Sequence, residues 1–369
     1  MQVLVLNAGS SSLKLRLLAP DDSVVAERGV EHWDEADSDD LAGRLADIGA
    51  VDAIGHRVVH GGADLTTPVL IDDDIERRIE SLQPLAPLHQ ARALAGIRAA
   101  RAAFPDVPAV ACFDTAYHAT LSPAASTYAL PATWISKWGL RRYGFHGLSH
   151  CYAARRAAEM TRRDRTRLRV VTCHLGAGAS LCASLGDRAV DTTMGFTPLE
   201  GLVMATRSGS VDPGLLLWLL TDGGLSAGEV AGALEERAGL AGLTSGSGDM
   251  RDVLAGRRSG DEFSQLAFDV YIHRLVREIA AMVAALGGLD VLVFTGGVGE
   301  HLPEVRAAAT EKLGWLGVTI DGANNDATTG GDVDISAPAA PVATLVVEAR
   351  EDREIARHTR AAVAGRPQT

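Results

Sequence analysis

Long apolar runs are missing from this chain. No stretch reaches the roughly 18 consecutive apolar residues that a membrane-spanning helix needs, so no membrane partner is expected. Cysteine is scarce. The 369 residues hold four, Cys112, Cys151, Cys173 and Cys182, and no two are spaced C-x-x-C. Three of them sit among small or apolar residues, which reads as buried free thiols and not as a disulfide framework. Positive charge is also short: 35 Lys and Arg stand against 47 Asp and Glu, for a net charge of −12. A general nucleic-acid binder needs a dense basic footprint, and that class is excluded. An anionic small ligand is not, because a few arginines in one pocket can outweigh the global field. The first residues lack the basic and apolar regions of a secretory signal, so a cytoplasmic location is expected. The G-K-[ST] of a P-loop is absent, and the "GGVG" at residues 296–299 is not the G-x-G-x-x-G of a dinucleotide site.

What is present is a soluble composition, 47% hydrophobic with 39 glycines, on a chain long enough for two domains. "VLVLNAGSSSLKLRLL" (3–18) predicts strand, tight turn, strand. The turn is either a plain hairpin tip or a phosphate-facing loop with Lys14 supplying a point charge. Residues 19–50 predict further edge strands and a short helix. "VDAIGHRVVHGG" (51–62) predicts a buried strand ending at His56, Arg57 and His60. Two helices separated at Pro84–Pro87 follow, with His89 opening the second. "PAVACFDTAYHATL" is an apolar strand that breaks at Phe113–Thr115, and a helix is expected from about Ser149. "RLRVVTCHLGAGASLCASLGD" then repeats the opening pattern, with its turn at Gly176–Gly178, and suggests two halves of related topology. Helical periodicity covers 213–238 and 260–287. "LDVLVFTGGVGEHLPEV" predicts a buried strand, a Gly-rich turn and a helix with Pro303 in its first turn. A last strand and a last helix close the chain, with Arg366–Thr369 frayed.

Three apolar strands thus run into small-residue turns, at residues 8–12, 176–178 and 296–299. Such turns let backbone N–H groups approach phosphates closely, and nucleotide binding between two domains is the inference. Arg57 and Arg207 each follow an apolar stretch and precede glycines, with His146 and His89 beside similar turns. Together they fit an anion clamp of the kind phosphoryl transfer requires, where catalysis is mostly positioning and charge neutralisation.

These segments resemble a family. "VLVLNAGSSSLK" and "IGHRVVHGG" are similar to the two signature segments of acetate kinases and their propionate kinase relatives. The resemblance continues through "PLAPLH", "CFDTAYH", "RRYGFHGLSH", "HLGAGAS", "GFTPLEGLVMATRSGSVDP", "GDMRDV" and "FTGGVGE", nearly the whole chain in order. It implies an α/β, two-domain sugar kinase–Hsp70–actin superfold, with duplicated ribonuclease H-like βββαβαβα cores and the active site in the interdomain cleft. The N-terminal domain would be 1–118 plus the helix 352–366. The C-terminal domain would be 119–351, with the nucleotide site and the dimer interface. It further implies a homodimer and reversible Mg²⁺-dependent phosphoryl transfer from ATP to acetate, giving acetyl phosphate and ADP. Mn²⁺ is the alternative metal and propionate the alternative acceptor.

Carried over by the resemblance, Asn7 and Glu351 lie at the metal, with Asp352 and Glu348 as alternatives to Glu351. Arg57 and Arg207 hold the carboxylate and the transferring phosphoryl group, and His146 donates in the transition state with His89 nearby. Val59, Leu88, Phe145 and Pro198 form the pocket for the acetate methyl. Lys14, His174, Leu175, Gly176, Ala177, Gly178, Gly297, Val298, Gly299, Glu300 and His301 line the phosphate and adenosine pocket. Asp249, Met250 and Arg251 take the ribose and the adenine. Asp114 belongs to the catalytic set. Acetate is ionised at neutral pH and has no proton to surrender, so electrostatic positioning of Mg²⁺ and Arg57 is the favoured role.

The chain departs from the family pattern in three ways. It is shorter before residue 51, it has Ala177 where Asn is usual, and its "FTGGVGEH" and "VVEAREDREIARHT" segments differ. Two rival readings stand beside this one. A non-catalytic actin-like protein would keep the Gly-rich turns without needing both arginines and His146. A butyrate or branched-acid kinase would share the superfold, although "HRVVHGG" and "RRYGFHG" resemble the acetate group more.

Overall fold

The computed structural model describes residues 1–8, 12–31, 41, 43, 45 and 48–365. Ser10 and Ser11 of the expected phosphate-facing turn, and the tail from Arg366, lie outside the described residues. The chain forms two compact units. One comprises Met1–Ala119, Phe145–Tyr152 and Arg350–Thr369, the other Thr120–Gly144 and Ala153–Ala349.

The first unit is built on six strands: β1 (Val3–Ala8), β2 (Ser12–Leu18), β3 (Val24–Glu31), β4 (Ala53–Val58), β5 (Val69–Leu70) and β6 (Ala109–Phe113). Their order is β3-β2-β1-β4-β6-β5. The β1–β2–β3 meander is antiparallel, whereas β1, β4 and β6 run parallel. Parallel strands are covered on both faces, and β1 follows suit. Leu4 and Leu6 pack with Leu13, Leu15, Ile54, Ala99 and Ala100 on one side. Val3 and Val5 pack with Leu18, Val110, Cys112, Ile355 and Ala356 on the other. That second layer includes Leu148. Phe145–Tyr152 therefore belongs with this unit, whereas the sequence reading assigns it to the C-terminal domain.

The second unit repeats the plan with β7 (Arg169–Leu175), β8 (Ala179–Leu185), β9 (Arg188–Thr192), β10 (Val291–Thr295), β11 (Val333–Asp334) and β12 (Ala343–Val346). The order is β11-β12-β10-β7-β8-β9. Read from the meander outward, it matches the first sheet strand for strand: three antiparallel strands, two parallel additions and an antiparallel edge. The weak repeat between the 3–18 and 169–185 segments is thus the trace of a duplicated topology. The helix Glu262–Leu286 buries Ala267, Phe268, Tyr271, Ile272, Leu275, Ile279, Met282 and Val283, a spacing of three and four that marks one face. Asp261 caps its start by accepting from Ser264 N, and Gly287 ends it in the left-handed region. The periodicity over 213–238 resolves into two helices, Pro213–Thr221 and Ala227–Glu236. The expected helix from Ser149 begins two residues earlier, at Gly147.

The C-terminal helix Glu351–Ala364 lies so close to β4 that there is no room for a side chain at Gly55. A β-carbon there would sit 2.5 Å from Thr359 Oγ1 and 2.6 Å from Ile355 Cγ2. Gly29 on β3 has nothing within 4 Å. Gly55→Val should therefore cost about 1–3 kcal/mol or more through overpacking, read as a lower denaturant midpoint. Gly29→Ala should leave that midpoint within about 0.5 kcal/mol of the parent. Equal effects at the two sites would refute this helix placement.

Candidate active site

Parallel β1, β4 and β6 end on the same edge of the first sheet, where ligands of open α/β folds bind. Asn7 lies near the end of β1, Arg57 near the end of β4, and Asp114 immediately after β6. The Arg57 guanidinium donates to Asp114 Oδ2 through Nε at 3.0 Å and Nη2 at 2.6 Å, and to Asn7 Oδ1 through Nη1 at 3.2 Å. Asp114 is 1% exposed. Burial disfavours the Arg57 charge, but the charge and hydrogen bonds of Asp114, with the charge of Glu351, outweigh it and raise the Arg57 pKa. Glu351 thus belongs to the same electrostatic cluster, at the first position of the C-terminal helix. Lys14 stands opposite Asn7 in the β1–β2 ladder and is exposed, so the two side chains project from the same face.

Beside this cluster the chain is strained. His146 has φ of +56°, a left-handed conformation that costs a residue with a β-carbon about 1–2 kcal/mol. The next residue explains how it is held. Gly147 N donates to Asp114 O at 2.9 Å, and a β-carbon on Gly147 would lie 2.2 Å from that oxygen. The Asp114 carbonyl therefore fixes the start of the helix that follows His146. Phe145 is 1% exposed, its carbonyl bonded to His118 Nε2 at 3.0 Å and its ring edge-on to His60. Val59 is buried. His89 is half-buried in the first turn of the helix Pro87–Ala103. The Leu88 side chain lies outside the described residues.

In the second unit Arg207 is half-buried on the turn after Met204, whose N donates to Arg207 O at 3.1 Å. Among the described residues no carboxylate lies within ion-pair distance of its guanidinium, and Nη1 reaches only Met204 Sδ at 3.9 Å. Burial lowers its pKa, with the Glu235 charge as partial support. Pro198 lies half-buried on the loop after β9.

A cavity of about 600 Å³ opens in this unit, within the size range of small-molecule sites. Of the expected nucleotide residues, Gly176, Ala177, Asp249, Met250, Arg251, Gly297, Val298 and His301 line it. His174, Leu175, Gly178, Gly299 and Glu300 do not. Leu175 is wholly buried in β7, and Gly178 O closes the turn by accepting from Gly176 N at 3.0 Å. Ala205, Leu240, Ser247, Gly248, Tyr271 and Leu302 also line the cavity. Ser247 and Gly248 could have been read from their place just before "DMR". Tyr271 carries no local signal, because it arrives from the middle of a long helix.

The "GGVGEH" segment, expected as a turn, is a short helix, Gly296–His301. Two buried side chains hold it. Glu300 Oε1 accepts from Gly296 N at 2.9 Å and Ala349 N at 3.0 Å, and burial raises its pKa against those bonds. Arg306 is 0% exposed. It donates to the carbonyls of Gly299 and Glu300 through Nη1, to Asn325 O and Thr328 O through Nη2, and to Asn325 Oδ1 through Nε, all at 2.8–2.9 Å. Burial pulls its pKa down to about 10, so it stays cationic at neutral pH.

The two units thus share one duplicated α/β plan, with a charged strand edge in the first and a glycine-walled cavity in the second. Comparison supplies the class. A sequence model of the acetokinase family matches residues 38–357. The acetate kinase of Deinococcus radiodurans is 45% identical over 99% of both chains. Among solved structures, the acetate kinase of Porphyromonas gingivalis superposes with a TM-score of 0.91 at 36% identity, covering 98% of this chain and 99% of that one. The propionate kinase of Francisella tularensis gives 0.88 at 33% identity, with the same coverage. This chain belongs to the acetokinase family.

Gly297 separates ligand space from packing. A β-carbon there would meet nothing within 4 Å, and Gly297 faces the cavity from a helix in which Ala is the better former by roughly 1 kcal/mol. Gly297→Ala should hold or raise the melting temperature while raising the KM for the nucleotide several-fold. An unchanged KM would mean that no ligand approaches this wall.

Proposed function

We propose that this protein catalyses reversible phosphoryl transfer from ATP to acetate, giving acetyl phosphate and ADP, with propionate as the next acceptor in size. One observation carries the reading: two half-buried arginines in opposite electrostatic states. Arg57 is neutralised by Asp114 and sits where it can orient a carboxylate. Arg207 has no carboxylate within ion-pair distance among the described residues, which leaves its guanidinium open to an external anion. Phosphoryl transfer asks for both, since its transition state spreads negative charge over the transferring oxygens.

The residues divide the work as follows. Arg57 binds the acetate carboxylate, and Val59 and Phe145 face its methyl group. Arg207 and His146 donate to the oxygens of the transferring phosphoryl group, with His89 adjacent. The left-handed backbone at His146 fixes the direction in which its side chain leaves the main chain. Asp114 orients Arg57 and is acceptor-only when ionised, consistent with a positioning role. The cavity with Gly176, Ala177, Asp249, Met250, Arg251, Gly297, Val298 and His301 takes the nucleotide, with Lys14 toward its phosphates.

A divalent metal fits the donor set of the first unit. Arg57 bonds both Asn7 Oδ1 and Asp114, and it feels the charge of Glu351. Hard oxygen ligands with few carboxylates suit Mg²⁺ or Mn²⁺. Asn7 and Glu351 would hold the ion, with Asp114 positioning it electrostatically, and the ion would neutralise phosphate charge when bound. No described helix is long and apolar enough to cross a membrane, and a cytoplasmic location accords with this reading.

We further propose a homodimer. The helix Pro213–Thr221, sequence PGLLLWLLT, leaves Leu217 64% and Trp218 54% exposed, with Leu215 and Leu220 also outward. A helix apolar all round is one that another surface covers, and a second copy is the partner proposed. Leu217→Asp combined with Trp218→Ser should halve the mass measured by light scattering. An already monomeric parent would exclude the dimer.

The chemistry is tested by trapping acyl phosphate with hydroxylamine, comparing acetate, propionate and butyrate. Hydroxamate from none of the three would overturn the assignment. Arg207→Met should lower turnover by roughly 10²–10³-fold or more with an unchanged or raised melting temperature, because no described carboxylate loses an ion-pair partner. Arg57→Met should lower both, since it strands buried Asp114 at a cost of about 3–5 kcal/mol. Near-normal turnover in either variant would remove it from the transition state.

A further inference from the structure

The cavity wall contains few polar side chains with hydrogen-bonding capacity to spare. Asp249 and Arg251 engage each other, Nε with both carboxylate oxygens at 3.0 Å and Nη2 with Oδ2 at 2.5 Å. Ser247 Oγ donates to Asp252 Oδ2 at 2.5 Å and accepts from Asp249 N at 3.1 Å. The Tyr271 hydroxyl does have capacity to spare, with no hydrogen-bond partner among the described residues, but it is buried away from the surface of the wall. His301 differs from all of these.

His301 ends the helix Gly296–His301 and is exposed along the cavity. Its Nδ1 lies 2.5 Å from Thr329 O. A carbonyl can only accept, so Nδ1 carries the proton, and in the neutral ring Nε2 is left as an acceptor. The ring is held from both sides. Arg306 fixes the carbonyls of Gly299 and Glu300 just before it and that of Thr328 beside Thr329. Gly330 closes over the ring, where a β-carbon would lie 3.1 Å from Cε1. A donor-only or ambivalent contact would need this frame to break.

We propose that His301 selects the base of the phosphoryl donor, accepting through Nε2 from the 6-amino group of adenine and rejecting 6-oxo purines. The inference rests on the cavity being the nucleotide site. A 6-oxo group would set its lone pairs against that of Nε2, leaving both acceptors unpaired. An asparagine in this place could turn its amide to suit either base. The locked imidazole cannot.

The test compares ATP, ITP and purine riboside 5′-triphosphate as donors to the intact enzyme, with ADP and IDP binding measured by calorimetry. ITP differs from ATP chiefly at position 6, and the purine riboside lacks a substituent there. In the parent, kcat/KM should fall about 10-fold for the purine riboside, the worth of one hydrogen bond. It should fall by roughly 10–100-fold for ITP, where an acceptor is left unpaired. His301→Asn should narrow the ATP-to-ITP ratio to within about threefold, chiefly by improving ITP, with KM for acetate unchanged. Equal use of the three donors by the parent would overturn the inference even if no variant folds. So would an unchanged ratio in His301→Asn. If Gly297→Ala leaves ADP binding unaltered, the nucleotide reading of the cavity fails and takes this inference with it. If ADP binding weakens in Gly297→Ala while IDP matches ADP in the parent, the cavity reading survives and only the role of His301 falls.

Discussion

The ion pair between Arg57 and Asp114 is the constraint around which the first unit is arranged. A carboxylate 1% exposed is tolerable only with a partner, because removing an ion from water costs several kcal/mol. The guanidinium supplies that partner through two nitrogens. Strand geometry then dictates the rest: parallel β4 and β6 bring Arg57 and Asp114 to one edge, and β1 adds Asn7 on the same edge. The Asp114 carbonyl in turn receives Gly147 N and sets the start of the next helix. His146 takes up the backbone strain at that junction. One buried residue therefore orients Arg57 through its carboxylate and the start of the helix after His146 through its carbonyl. Hydrophobic replacement of such a pair often stabilises a protein, so its presence is better explained by chemistry than by stability.

Arg207 inverts this logic. Its charge is desolvated with no ion-paired carboxylate among the described residues and only the Glu235 charge in partial support, which is a cost in folding and an asset toward an anion. The duplicated sheets make the contrast instructive. The first unit carries Arg57 and Asp114, and the second Gly176 and Gly297, just at or past the carboxyl ends of equivalent parallel strands. The first edge is furnished with side-chain charge. The second is furnished with glycine backbone and a cavity.

Much of this was legible in the sequence, for a physical reason. The strands are short apolar runs, and the groups at their ends sit next to glycines that leave a local signature. Arg57, Asp114, Gly176 and "GDMR" are readable in that way, and so is the repeat between the two meanders. What was not legible depends on contacts distant in sequence. Tyr271 and Leu240 reach the cavity from helices whose pattern speaks only of burial. Phe145–Tyr152 joins the first unit because Leu148 completes an apolar layer with Val3, Val5, Val110 and Ile355, and no residue near it in sequence announces that partner. Gly299 and Glu300, grouped with the cavity residues by their place in the motif, do not line it.

The helix Gly296–His301 gives the clearest case of tertiary structure overriding local preference. Three glycines in six residues argue for a turn, each costing roughly 0.8–1 kcal/mol in a helix relative to alanine. Glu300 and Arg306 offset this from behind, the one through two backbone amides and the other through carbonyls at both ends of its reach. The arrangement is costly, since it buries two ionisable groups to hold a segment that alanines would hold more cheaply. Alanine at 297, however, would stand in the cavity. The segment combines an open wall with a fixed backbone, and the only residues that supply both at once are glycines in front and buried hydrogen-bonding charges behind. The stability lost on the ligand side is recovered on the side the ligand never meets.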